Sequence, residues 1–140
     1  PMPATLTLRD ATASGQTLHT FTLANLTERL TVRELLRARI WQEVQDHNRV
    51  VAATAANPAG HVFRGLVQPT DTEHTLNGFK FSKPRTLDWE EQFRRACEGF
   101  ERNGFFVLVG DRQATTLDEE FTVAADTEIT FVKLVPLAGG

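Results

Sequence analysis

The chain has 140 residues, enough for one domain or one domain with a large insertion, and its hydrophobic share of 41%, with ten phenylalanines, supplies a core. A formal net charge of −3, with 15 basic residues scattered along the chain, argues against the clustered electrostatic footprint of a nucleic-acid binder. No apolar run approaches the roughly 18 residues of a membrane span, PMPATLTLRD lacks the basic-then-apolar plan of an export signal, and a lone Cys97 suits a reducing compartment, so a cytoplasmic protein without a membrane partner is expected.

ATLTLRD at 4–10 alternates as a strand does, ATASGQ reads as a turn, and TLHTFTLANL at 17–26 is a second β-rich run, which together predict a hairpin. The period then changes. Val32, Leu35, Leu36, Ile40 and Val44 form one apolar stripe, and Thr31 followed by Glu34 fits a capping box, so a helix is expected over about 31–47, ending near Asn48. Residues 52–86 are longer than a plain loop and hold short β-like runs around an Asn-Gly turn, an insertion with hairpin content. DWEEQFRRACEGFERN at 88–103 places Trp89, Phe93, Ala96, Cys97 and Phe100 on one face of a second helix, with Asp88 as its cap, Glu91 three residues on and Asn103-Gly104 closing it. FFVLVGDRQ at 105–113 is a strand with a Gly-Asp turn. The segment after it settles Leu117, Phe121 and Val123 against the core, and EITFVKLV at 128–135 is apolar enough to demand an interior position in a sheet.

Enzyme chemistry finds little footing. His19, His47, His61 and His74 have no metal-ligand spacing, and no cysteine pair supports zinc. Ser14 and Ser82 sit in turn contexts without a nucleophile elbow, and no Walker-type loop is present to bind ATP. Cys97, between Phe93 and Phe100 on the apolar helix face, reads as a buried packing residue.

The order hairpin, helix, strand, short turn, central strand is that of an α+β β-grasp fold, and LDEEFTVAADTEITFVKLVPLAGG resembles the ends of ubiquitin-like proteins. It is closest in character to the sulfur carriers, such as the molybdopterin-synthase small subunit and the thiamine sulfur carrier. Asp126 and Glu128 before the strand, Pro136 in the tail and Gly139-Gly140 match that pattern. The resemblance is firm over 105–140, looser over the opening hairpin and helix, and absent over 50–103. It implies one ubiquitin-like domain over 2–140, a mixed sheet with a packed helix and a helix-containing insertion at about 50–103.

The same resemblance implies a C-terminal Gly-Gly chemistry. An E1-like enzyme that supplies ATP and Mg²⁺ activates the carboxylate of Gly140 as an acyl-adenylate, so the chain itself needs no cofactor or metal and is not an enzyme. Gly139 and Gly140 have no Cβ to obstruct a narrow channel, and Pro136 stiffens the stem ahead of them. Conjugation of Gly140 to a target amine, with an E2-like enzyme and a JAB-type or other Gly-Gly-specific protease as further partners, is the first expectation. A thiocarboxylate made with a sulfurtransferase and a non-covalent adaptor are the alternatives. Val132 and Leu134 are candidates for a partner surface on the sheet, with the outward parity left open. Lys80, Lys83 and Lys133 are the possible conjugation acceptors.

Overall fold

The structure, a computed structural model, describes residues 4–53, 62–75, 78–83, 85–124 and 126–134. In chain order its elements are β1 (Ala4–Thr12), β2 (Thr17–Leu26), β3 (Arg29–Thr31), α1 (Val32–Ala53), β4 (Val62–Phe63), β5 (Thr72–His74), β6 (Phe79–Phe81), α2 (Trp89–Glu101), β7 (Phe105–Val109), β8 (Arg112–Gln113), β9 (Glu120–Thr122) and β10 (Glu128–Lys133). The fold is α+β, with a mixed five-stranded sheet in the order β2-β1-β10-β7-β8, a long helix, and a second helix preceded by an insertion with strands of its own. That is a β-grasp-like architecture. The chain divides into two compact units, residues 1–35 with 98–140 and residues 36–97. No helix among the described residues is long and apolar enough to cross a membrane.

The first unit, the sheet unit, follows from alternation. β1 and β2 pair antiparallel, and Gly15, at φ 95°, closes the turn between them by donating its N–H to the Thr12 carbonyl at 2.9 Å. β10 lies between β1, to which it is parallel, and β7, to which it is antiparallel, as its apolar sequence predicts. Ile129 and Phe131 are fully buried, and Phe131 joins a run of rings, 6.4 Å from Phe105, which is 6.1 Å from Phe100 at the end of α2. The segment before β10 buries Leu117, Phe121 and Val123, as expected. It also contributes β9, which pairs with β3 in a second, two-stranded sheet that alternation alone did not reveal.

Both helix starts and one helix end can be explained residue by residue. At α1, Glu34 accepts from the Thr31 N–H at 3.0 Å, while the Thr31 hydroxyl accepts from the Glu34 N–H at 3.1 Å. This reciprocal pair is the predicted capping box. At α2 the Asp88 carbonyl accepts from Gln92 N–H at 3.1 Å, but the Glu91 carboxylate binds Arg94 and Arg95 instead of reaching back, so no box forms there. The helix ends as predicted: Asn103 sits at φ 59°, its N–H bonds to Phe100 O at 3.1 Å, and Gly104 N–H bonds to Gly99 O at 2.7 Å, a Schellman closure with asparagine in the left-handed position.

The second unit, the insertion unit, corrects two expectations. α1 does not end near Asn48 but runs on to Ala53. Asn48 does not turn back on its own helix, because its amide is engaged by Leu87: Nδ2 donates to the Leu87 carbonyl at 3.0 Å and Oδ1 accepts from the Leu87 N–H at 2.8 Å. The buried row of α2 is also rotated from the predicted face. Gln92 and Ala96 are 3% and 0% exposed, whereas Trp89, Phe93 and Cys97 are only half-buried. Trp89 and Phe93 pack on each other with centroids 6.2 Å apart, and the Arg37 guanidinium lies 5.6 Å over Trp89, so this row finds cover among side chains that themselves face outward. Cys97 is thus a flanking residue and not a core one.

The predicted β-content of the insertion is present as a small sheet in the order β4-β6-β5. β5 and β6 form the expected hairpin, with Thr75 N–H bonded to Gly78 O at 2.8 Å; Asn77 of the predicted Asn-Gly turn lies outside the described residues. A side chain at Gly78 would collide with the Phe63 carbonyl and with Val62, so the close approach of β4 to this turn requires glycine.

Candidate functional site

Side chains along a strand alternate between faces, so β10 presents Ile129, Phe131 and Lys133 to one side and Glu128, Thr130 and Val132 to the other, and Leu134 follows directly after the strand. Complete burial of Ile129 and Phe131 identifies the core side. The opposite side of the sheet is largely polar: Thr5, Thr7, Thr20 and Thr22 are exposed there, Ala11 and Thr130 are buried, and Arg9 crosses it to donate to the Thr130 hydroxyl at 3.1 Å. It changes character at the end where β10 leaves the sheet. Val132 is half-buried between its register partners Ala11 and Phe106, Leu108 is the partner of Thr130, and Leu134 is 47% exposed.

Phe106, Leu108 and Val132 therefore share one face and make an apolar patch, and the exposed Leu134 follows it in sequence. Val132 and Leu134 were legible in the sequence as candidates. Phe106 and Leu108 were missed because FFVLV is apolar at every position, which hides the parity that looks outward. The patch stands where the chain passes from Lys133 and Leu134 into residues 135–140. Pro136, Gly139 and Gly140 lie in that stretch, outside the described residues.

Of the three lysines, Lys80 on β6 and Lys83 after it are exposed. Lys133 is half-buried on the Phe131 side of β10, the side opposite Val132. Asp126 and Glu128, ahead of the last strand, are both exposed.

The insertion unit holds a polar row that hydrophobic periodicity could not disclose. Beside the apolar row Leu36, Ile40 and Val44, α1 carries Arg39, Glu43 and His47 at steps of four, with Arg39 and His47 1% and 3% exposed. Arg39 Nε donates to Glu43 at 2.7 Å, and both Glu43 oxygens also accept from the Leu66 N–H, at 3.1 and 3.2 Å. Because a carbonyl can only accept, His47 Nε2 carries the proton it shares with Arg85 O at 2.8 Å. The His47 ring stacks on Phe81 at 4.7 Å and meets Phe63 edge-on at 5.2 Å. These contacts bind the segments around Leu66 and Arg85 to α1. Among the described residues, no group of three or more His, Cys, Asp or Glu is placed to hold a metal ion.

Comparison of the chain with protein-family models, with curated proteins and with solved structures finds no match.

Proposed function

We propose that the protein is a ubiquitin-like modifier whose Gly140 carboxylate is activated by an E1-like enzyme and joined to an amine on a target protein. The observation that supports this reading most is the placing of β10. The strand that precedes LVPLAGG in sequence is the central strand of a β-grasp-like sheet, with Ile129 and Phe131 fully buried and an apolar patch on its other face. The chemistry needs a free carboxylate on Gly140, whether the chain is made with that end or cut to it.

In the reaction the carboxylate oxygen attacks the α-phosphorus of ATP and pyrophosphate leaves. An amine, directly or after passage through an enzyme thioester, then attacks the Gly140 carbonyl, with AMP or the thiol departing and the amine proton lost to a base. The chain supplies the acyl group and the docking surface, and the enzyme supplies nucleotide, Mg²⁺ and the electrostatic stabilisation of the transferring phosphoryl group. Gly139 and Gly140 suit passage through a channel because they carry no side chain, and Pro136 restricts the stem. The patch formed by Phe106, Leu108 and Val132, with the exposed Leu134 next in sequence, suits an enzyme that must hold the sheet while the tail reaches its active site.

The LVPLAGG ending, which resembles the sulfur carriers, favours a second reading in which sulfide displaces AMP to leave a Gly140 thiocarboxylate. Intact mass spectrometry separates the two after incubation with an E1-like enzyme, Mg²⁺-ATP, and either a sulfur donor or a protein extract. A target heavier by the mass of the chain less one water supports the modifier. A gain of about 16 Da on the chain itself, one oxygen exchanged for sulfur, supports the carrier. Neither product from a chain whose sheet binds the enzyme would leave the non-covalent adaptor.

A further inference from the structure

The chain has two tryptophans, and both reach the surface on the helices of the insertion unit. Trp41 on α1 is 46% exposed, and Trp89 at the start of α2 is half-buried beside Phe93, their ring centroids 6.2 Å apart. Arg37 joins the two helices. It lies one turn ahead of Trp41, the spacing that makes helical side chains neighbours, and its guanidinium stands 5.6 Å over the Trp89 ring. Among the described residues, the other five arginines of these helices each have a carboxylate partner: Arg33 has Asp118, Arg39 has Glu43, Arg49 has Asp46, and Arg94 and Arg95 share Glu91. Arg37 has an indole in that place. Glu34, one turn earlier on α1, is engaged by the N–H and hydroxyl of Thr31.

We propose that Arg37, Trp41, Trp89 and Phe93 form a docking surface for a segment of another protein in which an Asp or Glu is flanked by bulky apolar residues. A guanidinium laid over an indole keeps the N–H groups at its edge, and that planar fork matches a carboxylate, the charge missing from this surface. The two indoles and the phenyl ring supply apolar area around the cation, and tryptophan with arginine is the composition of interface anchors. The same residues select among occupants. A second copy of this chain meeting the patch about a two-fold axis would bring two Arg37 cations together. Nucleic acid needs several free cations along its backbone. Here Arg94 and Arg95 are neutralised by Glu91, and Glu90, next to Trp89, carries an exposed carboxylate. A single carboxylate with apolar neighbours satisfies both the cation and the rings. The surface uses no residue of the β10 patch or the tail, so its failure leaves the activation reading untouched, and the converse also holds.

Because Trp41 and Trp89 are the whole tryptophan content and the chain has no tyrosine, intrinsic emission reads this surface directly. The probes are two pools of blocked synthetic peptides with Gly-Ser flanks and neither tryptophan nor tyrosine. One pool places a single Glu or Asp among Leu, Ile, Val and Phe, and the other has Gln or Asn in the acid's position. Affinity selection on the full chain, with retained peptides identified by mass, should enrich the acidic pool. Those peptides should also shift the emission to the blue as Trp41 leaves water. Arg37→Glu should bind them about tenfold more weakly, with unchanged circular dichroism. The same variant should gain binding to the peptides remade with Lys in place of the acid, a charge exchange that a structural role for Arg37 would not produce. Arg49→Ala removes an arginine of the same helix outside the surface and should bind as the unmodified chain does. No retained peptide, equal retention of the two pools, or Arg37→Glu binding like its parent would overturn the proposal. So would a blue shift caused by phosphatidylserine vesicles, by oligothymidylate or by raising the concentration of the chain itself, where the acidic peptides cause none.

Discussion

In the sheet unit the central buried side chains are Ile129 and Phe131; in the insertion unit the largest fully buried side chain is that of Arg39. The difference follows from strand length. β1, β2 and β10 run for nine, ten and six residues, long enough for alternating burial to specify register by itself. β4, β5 and β6 run for two or three residues, too few for that, and the unit is held in register by the Glu43–Leu66, His47–Arg85 and Asn48–Leu87 hydrogen bonds. Buried polar groups of this kind specify one arrangement because every alternative leaves them unsatisfied. The units differ in charge as well. The sheet unit carries eleven carboxylate side chains against six basic ones and the insertion unit seven against nine, so the net negative charge belongs to the unit that bears the tail.

The sharpest way to break this contrast is at Glu43. Glu43→Ala removes the carboxylate from the buried Arg39 and from the Leu66 N–H, and should cost about 3–5 kcal/mol in urea unfolding, because a buried charge then loses its compensation. Replacing the pair together, as Arg39→Met/Glu43→Leu, should cost far less, which would mark the pair as a specifier of structure more than a source of stability. Phe131→Ala, the counterpart in the sheet unit, removes a ring from an apolar core and should cost about 3–5 kcal/mol, with no such rescue by a second substitution. Asn48→Ala deletes both hydrogen bonds to the Leu87 backbone and should cost about 1–3 kcal/mol, read by the same unfolding curves and by faster hydrogen exchange at Leu87.

What could be read from the sequence divides along the same line. The hairpin, the capping box at Thr31, the interior place of β10 and the Asn103-Gly104 stop were legible because each rests on a local pattern: alternation, a fixed offset or a turn residue. The Arg39, Glu43 and His47 row was not. Polar residues on a helix read as a solvated face unless their partners are known, and Leu66 and Arg85 lie more than twenty residues away. The rotation of α2 escaped for a related reason, since Gln92, the residue that turns inward, is polar, while Trp89 is large enough to stay half-exposed. Of the candidate site, Val132 and Leu134 were legible as alternating positions. The outward parity of Val132 needed the burial of Ile129 and Phe131, and Pro136, Gly139 and Gly140 remain sequence features alone.

Two smaller effects sharpen the comparison. Thr31→Ala removes the capping hydroxyl of α1 and should cost about 1 kcal/mol. At the exposed surface of the insertion unit, hydrogen bonds from Arg94 and then Arg95 hold the Glu91 carboxyl below its ordinary pKa. A carboxyl whose pKa is lower folded than unfolded stabilises the fold above its unfolded value, and that contribution disappears as pH falls through the folded value. Glu91→Gln should therefore lower the urea midpoint slightly near neutral pH and leave it unchanged in acid beyond both values, the smallest shift of the set.

The central claim, that Gly140 is the reacting group, is tested most directly by ATP–pyrophosphate exchange with an E1-like enzyme, which registers acyl-adenylate formation whatever the later acceptor. Labelled pyrophosphate should enter ATP in the presence of the chain ending at Gly140. It should fail to enter with a chain lacking Gly139-Gly140, whose circular dichroism should be unchanged, or with one extended beyond Gly140, whose carboxylate has become an amide. Exchange supported by the deleted chain, or no exchange from the intact chain with an enzyme that binds its sheet, would contradict the account.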